Sequence, residues 1–130
     1  FVPREDAVAA LRAVRSLSEY ISPILRVSEL RSVASDDWWL SPCYGRPTVG
    51  LHFTWVHDEA AVRDVLPRIE AALSSVSLSV RPHWGKLFMM GSRHLEGVYP
   101  RIDDYRELAE GLDPAGKFRN DFVETLVFAR

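Results

Sequence analysis

Residues 48–56, with the sequence TVGLHFTWV, alternate between apolar side chains and polar or small ones. Successive side chains of an extended strand point to opposite faces, so each kind of residue has a face of its own. The apolar face carries Val49, Leu51, Phe53 and Trp55, and the polar face carries Thr48, Gly50, His52 and Thr54. The pattern predicts a half-buried strand with its apolar face on a hydrophobic core.

Two further segments have the composition of strands. Residues 24–33 follow Pro23 and are rich in branched side chains, and residues 74–80 alternate serine with Val76, Leu78 and Val80. We predict that both are strands, and that Lys86 therefore lies just beyond a strand end.

Two long segments have apolar residues at helical spacing. The first covers residues 4–20, and the second begins after Asp58, which can cap it, and continues to Leu73. Pro67 lies inside the second segment, where a proline costs ~3 kcal/mol or more, so we predict a kink or a break there.

A last helix is predicted through Leu112, capped by Asp103 or Asp104 and ended by Asp113-Pro114. The aromatic segment 36–47 is predicted to be a loop. Helices around an antiparallel sheet give a single α+β domain over residues 1–130.

The composition limits the classes of function and partner that the sequence predicts. With 16 basic and 18 acidic residues the net charge is -2, which does not predict a nucleic-acid partner. Cys43 is the only cysteine, and a reducing, cytoplasmic location is expected. No apolar run is long enough to span a membrane, although membrane association of a longer parent protein is left open. The histidines have no ligand-like spacing, so no metal site is predicted.

Four polar residues on the two clearest strands are candidate site residues. Glu29 and Arg31 are two positions apart and share a face, where they form either a solvated ion pair or a clamp for adjacent hydroxyl groups. His52 and Thr54 share the polar face of their strand, and histidine is either a structural hydrogen-bonding group or a proton acceptor.

Three motifs carry a family resemblance. They are Arg81-Pro82-His83-Trp84-Gly85-Lys86, Ser28-Glu29-Leu30-Arg31 and the segment 113–120 that begins Asp113-Pro114. Together they resemble the substrate domain of FAD-linked sugar-alcohol and aldonolactone oxidases, the alditol (xylitol) oxidase and D-arabinono-1,4-lactone oxidase family. The resemblance implies the C-terminal substrate or cap domain of a vanillyl-alcohol-oxidase-type flavoprotein. It also implies that FAD is held mainly by an N-terminal domain outside this chain. The present sequence has no Gly-rich phosphate loop of its own.

The resemblance also implies a reaction and a set of roles. The parent would oxidise the terminal alcohol of a polyol such as xylitol or sorbitol to an aldehyde, passing the electrons to oxygen to give hydrogen peroxide. Lys86 would polarise substrate and stabilise charge at the cofactor, His83 would contact the cofactor, and Trp84 would wall the substrate pocket. Glu29 and Arg31 would bind and polarise the substrate together with Lys86. Thr54 would line the substrate pocket, and His52 would be the proton acceptor.

Two alternatives remain open at this point. The substrate could be an aldonolactone such as D-arabinono-1,4-lactone, or the chain could be a freestanding, non-enzymatic binding or interaction domain. In either oxidase reading the isolated chain should be inactive, and its uncovered surface should allow self-association.

Overall fold

The computed structural model describes residues 1–129 and has the predicted α+β architecture. Its sheet has three antiparallel strands in the order β1-β3-β2, namely β1 (Val2–Pro3), β2 (Leu25–Val33) and β3 (Thr48–Trp55). The two strands predicted over residues 24–33 and 48–56 are therefore confirmed, and the second of them is the central strand. The apolar face of β3 packs on the core as predicted.

The amino-terminal helical region is interrupted. A 3-10 turn at Arg4–Asp6 leads into α1 (Ala7–Arg15), and α2 (Ser18–Ile21) follows after a break. The Ser16 hydroxyl donates to the Ala13 carbonyl at 2.7 Å, which is the local competition with backbone bonding that serine introduces at helix ends. The predicted helix over residues 4–20 thus exists in three pieces.

The helix α3 (Glu59–Ser74) begins as predicted, because the Asp58 carboxylate accepts the Ala61 N–H at 3.0 Å. Of the kink or break predicted at Pro67, the break is wrong, since the helix is continuous through this residue, and the kink stays a prediction. Pro67 is exposed, so water can reach the carbonyl that loses its partner, and buried Leu66 and Ile69 pack on either side of it. Burial of that apolar stripe outweighs the local cost of the proline.

The predicted strand over residues 74–80 is also wrong. Ser74 still belongs to α3, and the next backbone N–H groups bond back to the helix, with Ser77 N donating to Leu73 O at 3.0 Å. Alternation fails at Leu78, which is 94% exposed, although Val80 is buried. Lys86 therefore follows a turn and not a strand end.

Three helical elements complete the chain after α3: α4 (Ser92–Val98), α5 (Ile102–Leu112) and α6 (Asp121–Val123), with a π-helical turn at Glu124–Phe128. Helix α5 is the predicted amphipathic helix, but it is not the last one, because α6 follows. Asp103 and Asp104 lie inside its first turn and do not cap it. They bind Arg106 and Arg101 instead. Helix α5 ends at Leu112 as expected, and the Asp113 carboxylate accepts the N–H groups of Lys117 and Phe118.

The interior has two hydrophobic cores, with Val80 in the first and Trp84 packed against the second. The first joins β1 and β3 to α1 and α3, around Val2, Ala10, Ile21, Ile69, Leu73 and Val80. The second joins α4, α5 and the carboxyl-terminal turn, around Leu95, Val98, Tyr99, Ile102 and Val127. No helix within residues 1–129 is long and apolar enough to cross a membrane.

Candidate functional site

The register of β2 against β3 brings four predicted site residues onto one sheet face. Glu29 lies opposite His52, the Val27 position lies opposite Thr54, and Arg31 lies opposite Gly50. Directly paired residues of an antiparallel sheet point to the same side, so Glu29, Arg31, His52 and Thr54 share that side. We call this surface the polar sheet face.

Glu29 is the centre of a hydrogen-bonded cluster. Its Oε2 atom accepts from Arg31 Nη2 at 2.7 Å and from His52 Nδ1 at 2.7 Å. The side chains are 45% exposed for Glu29, 61% for Arg31 and 30% for His52, so a solute can reach all three. Within residues 1–129 both donors use the same oxygen, which leaves Oε1 able to accept a further hydroxyl.

The cluster fixes the charge of its carboxylate. The hydrogen bond from His52, and next the positive charge of Arg31, hold the pKa of Glu29 below its ordinary value of 4.5. Glu29 is therefore ionised at neutral pH and acts as an acceptor, not as a proton donor.

His52 has a defined tautomer when it is neutral. A carboxylate can only accept, so Nδ1 carries the hydrogen that faces Glu29, and the lone pair lies on Nε2. This arrangement gives the polar sheet face a group that can take a proton from a hydroxyl at Nε2, while Glu29 stabilises the resulting positive charge.

Residues distant in sequence meet at the Gly50 end of the polar sheet face. The Phe1 ring lies so close to Gly50 that a Cβ there would be 3.2 Å from Phe1 Cε1. The same ring stacks on His83, with 6.0 Å between ring centroids. His83 Nδ1 accepts the Gly85 N–H at 3.0 Å, so its own hydrogen is on Nε2 in the neutral ring.

The structure gives Lys86 and Trp84 different surroundings. Lys86 closes a turn, with its N–H donating to the His83 carbonyl at 3.0 Å, and its side chain is exposed. The Trp84 indole donates to Leu40 O at 2.7 Å, and its ring contacts Tyr99, Phe88 and Phe122. These contacts make Trp84 an anchor of the segment to the second core.

Arg81 has a structural importance that the sequence did not indicate. It is buried, and it donates to the carbonyl oxygens of Val98, Pro42 and Tyr44 at 2.8, 3.2 and 3.0 Å. Burial lowers its pKa. Arg81 therefore fixes the start of segment 81–86 against the 36–47 loop and the end of α4.

A cavity lies away from the polar sheet face, beside α4 and α5. It has a volume of about 670 Å³ and is lined by Glu96, Ile102, Asp103, Arg106, Glu107 and Glu110. Its chemistry is acidic around one buried guanidinium, which bonds to Glu96, Asp103 and the Val127 carbonyl. Within the described residues no cluster of His, Cys, Asp or Glu is arranged to hold a metal ion.

The geometry defines an α+β domain with an exposed, charged sheet surface suited to binding hydroxyl-rich small molecules. The chain belongs to the D-arabinono-1,4-lactone oxidase family, whose model matches residues 1–126.

Similar proteins include an alditol oxidase of a Streptomyces species, which is 47% identical over 126 residues. The L-gulono-1,4-lactone dehydrogenase of Mycobacterium tuberculosis is 32% identical over 129 residues, and the L-gulonolactone oxidase of Mus musculus is 27% identical over 133. The matches cover 97%, 97% and 98% of this chain, but only 30%, 29% and 30% of the three relatives. The chain thus spans about 30% of the length of these curated relatives.

Proposed function

We propose that this chain is the C-terminal substrate or cap domain of a vanillyl-alcohol-oxidase-type, FAD-dependent oxidase. The parent would oxidise the terminal alcohol of a polyol such as xylitol or sorbitol, with oxygen as acceptor and hydrogen peroxide as product. The relative named alditol oxidase supports this substrate class. The observation that carries the proposal is the solvent-accessible Glu29 carboxylate, bonded to both Arg31 and His52.

Substrate binding follows from the donors and acceptors on the polar sheet face. Glu29 Oε1 accepts a hydrogen bond from one hydroxyl of the substrate. The guanidinium nitrogens of Arg31 that do not bind Glu29 donate to the adjacent hydroxyl. Thr54 adds a hydroxyl on the same face. A polyol presents adjacent hydroxyl groups, so it satisfies several of these positions at once.

Proton removal belongs to His52 in this proposal. Its Nε2 atom takes the hydroxyl proton, and the ionised Glu29 stabilises the imidazolium that forms. Lys86 contributes a positive charge near the alcohol oxygen and favours the build-up of negative charge there.

FAD, when bound, supplies the acceptor for the hydride that leaves the alcohol carbon. The N-terminal FAD domain of the parent would hold most of it. The exposed ammonium of Lys86 and the Nε2–H of His83 are donors whose chemistry suits the electron-rich edge of a flavin. From its contacts in the second core, Trp84 would support the turn between these two residues and line the substrate pocket from behind.

The proposal is tested with the full-length parent by measuring oxygen consumption and peroxide formation on xylitol, sorbitol and D-arabinono-1,4-lactone. We expect the polyols to give higher kcat/KM values than the lactone. An enzyme that leaves all three unchanged would contradict an oxidase function of this kind.

A lactone substrate is the second candidate, because the family model and two of the three relatives carry aldonolactone names. It predicts the opposite order of kcat/KM in the same assay. The oxidoreductase names of all three relatives favour an enzymatic parent over a freestanding binding domain.

A further inference from the structure

Four residues form a stack beside the polar sheet face. Gly50 lies against one side of the Phe1 ring, His83 stacks on that ring with an interplanar angle of 28°, and Gly85 lies against His83. We call this arrangement the Gly-Phe-His-Gly stack. It connects the central strand β3 to the turn that carries Lys86.

A side chain on either glycine would contact the ring next to it. A Cβ on Gly50 would lie 3.2 Å from Phe1 Cε1, and a Cβ on Gly85 would lie 3.4 Å from His83 Cε1. At 3.2 Å the neighbour must give by a few tenths of an ångström, so a methyl group at Gly50 would push the Phe1 ring away from its present position.

The backbone of Phe1 is held in place by hydrogen bonds to Arg81. Phe1 N donates to Arg81 O at 2.8 Å, and Arg81 N donates to Phe1 O at 2.9 Å. The next residue, Val2, is fully buried and pairs with Val49. A ring that contacts both Gly50 and His83, on a residue whose backbone is paired with Arg81, can transmit the position of the sheet to His83.

The turn beyond His83 is short and closed. Lys86 N donates to the His83 carbonyl at 3.0 Å, and Gly85 N donates to His83 Nδ1 at 3.0 Å. His83 therefore determines where this turn lies by stacking on Phe1 and by accepting two hydrogen bonds.

We propose that His83 is a positioning residue, which acts through the Gly-Phe-His-Gly stack to set the place of Lys86 relative to the polar sheet face. This inference rests on the proposed function for the role of Lys86. It goes further by assigning the placement of that lysine to an aromatic stack whose members are separated by up to 84 positions in sequence, from Phe1 to Gly85.

The test is a double-mutant cycle in the full-length parent, with flavin reduction followed anaerobically at saturating alcohol. His83→Ala should slow reduction roughly 10- to 100-fold, the size expected for a small misplacement of a reacting group, while KM changes less. In the Lys86→Met background the same change should slow reduction much less, because only the His83 Nε2–H proposed for the flavin is then lost. His83→Phe keeps the stack but removes the Nε2–H proposed for the flavin, so it should recover only the part of the rate that depends on the placement of Lys86.

A second readout does not need turnover. Lysine amines of the parent are reductively methylated with ¹³C-formaldehyde, and the Lys86 signal is identified by its loss in Lys86→Met. We expect His83→Ala and Gly50→Ala to shift this signal and His83→Phe to restore it. Gly97→Ala is the matched control, because a Cβ there meets no atom within 4 Å.

The outcomes separate the two proposals. An inactive parent whose Lys86 signal responds to His83→Ala would refute the proposed function and support the stack. Additive effects of His83→Ala and Lys86→Met, together with an unchanged Lys86 signal in His83→Ala and Gly50→Ala, would overturn the positioning role.

Discussion

Glu29 and His52 lie directly opposite each other on β2 and β3, and Glu29 Oε2 is 2.7 Å from His52 Nδ1. The contact crosses the only pair of long strands in the described sheet, so the orientation of the imidazole depends on strand register. A shift of one residue would place Glu29 on the opposite face from His52.

Replacing Glu29 with Gln in the parent should strongly reduce kcat/KM for polyols and leave flavin content unchanged. The amide keeps the shape but loses the ionised acceptor that binds Arg31 and His52. A loss of roughly 10²-fold is expected for one such polar contact in the transition state. Glu59→Gln is the control, because Glu59 pairs with Arg63 at the start of α3. Normal kinetics for Glu29→Gln would show that Glu29 and Arg31 form only a solvated ion pair without a role in binding.

Lys86→Met should slow flavin reduction by about 10²–10³-fold with little effect on substrate binding. Methionine keeps the length and apolar stem of the side chain and removes only the ammonium. Anaerobic stopped-flow absorbance isolates this step from the oxygen reaction. Lys117→Met, at the other exposed lysine of the chain, should behave like the parent. A reduction rate equal to that of the parent would show that Lys86 is not involved in the chemistry.

The Glu29 carboxyl should titrate below pH 4.5 in ¹³C NMR, because His52 and Arg31 both stabilise the ionised form. Since the pKa of Glu29 is lower in the folded state than in the unfolded state, the cluster stabilises the folded state at pH values above the ordinary pKa of 4.5. That contribution is lost as the pH falls through the folded pKa. His52→Ala should raise the midpoint toward 4.5. An identical midpoint in His52→Ala would exclude the hydrogen bond as the cause.

Arg81→Met should lower the free energy of unfolding by about 3 kcal/mol, because three buried or half-buried carbonyl groups lose a charged donor. Urea unfolding of the chain measures the change. Arg63→Met provides the comparison, since it removes an exposed pair at i,i+4 and should cost only about 0.5 kcal/mol or less. Equal effects of the two substitutions would argue against a special role for Arg81.

The isolated 130-residue chain should show no oxidase turnover and little affinity for FAD, because most contacts to the cofactor would come from the N-terminal domain. Isothermal titration with FAD tests this directly. Apolar side chains such as Leu30, Leu112 and Phe118 are 57%, 78% and 83% exposed, so we also expect self-association in sedimentation experiments. Tight, stoichiometric FAD binding would contradict the domain assignment.

The sequence predicted the polar sheet face well, because alternation over β3 is a local property that states which side chains share a face. It could not predict that Glu29 faces His52. That pairing depends on strand register, including an irregularity between Leu25 and Val27.

The errors have local causes. The alternation of residues 74–80 is typical of a strand, but the N–H groups of Ser75 and Ser77 donate to carbonyl groups of α3 and form the end of that helix. The prediction of a break at Pro67 counted the cost of a proline inside a helix but not the opposing burial of Leu66 and Ile69. The stack of Phe1 on His83 joins residues 82 positions apart, and no local pattern encodes such a contact.

The division of the interior into two cores has a consequence for engineering. Substitutions around Ile69 and around Leu95 belong to different clusters, so their effects on stability should combine independently. Two residues link the cores. The backbone of Arg81 pairs with Phe1 beside the first core while its side chain binds the Val98 carbonyl in the second, and His94 of α4 bonds to the Val80 carbonyl at 2.8 Å. We therefore expect that libraries varying the two cores separately can be recombined, provided that Arg81 and His94 are kept.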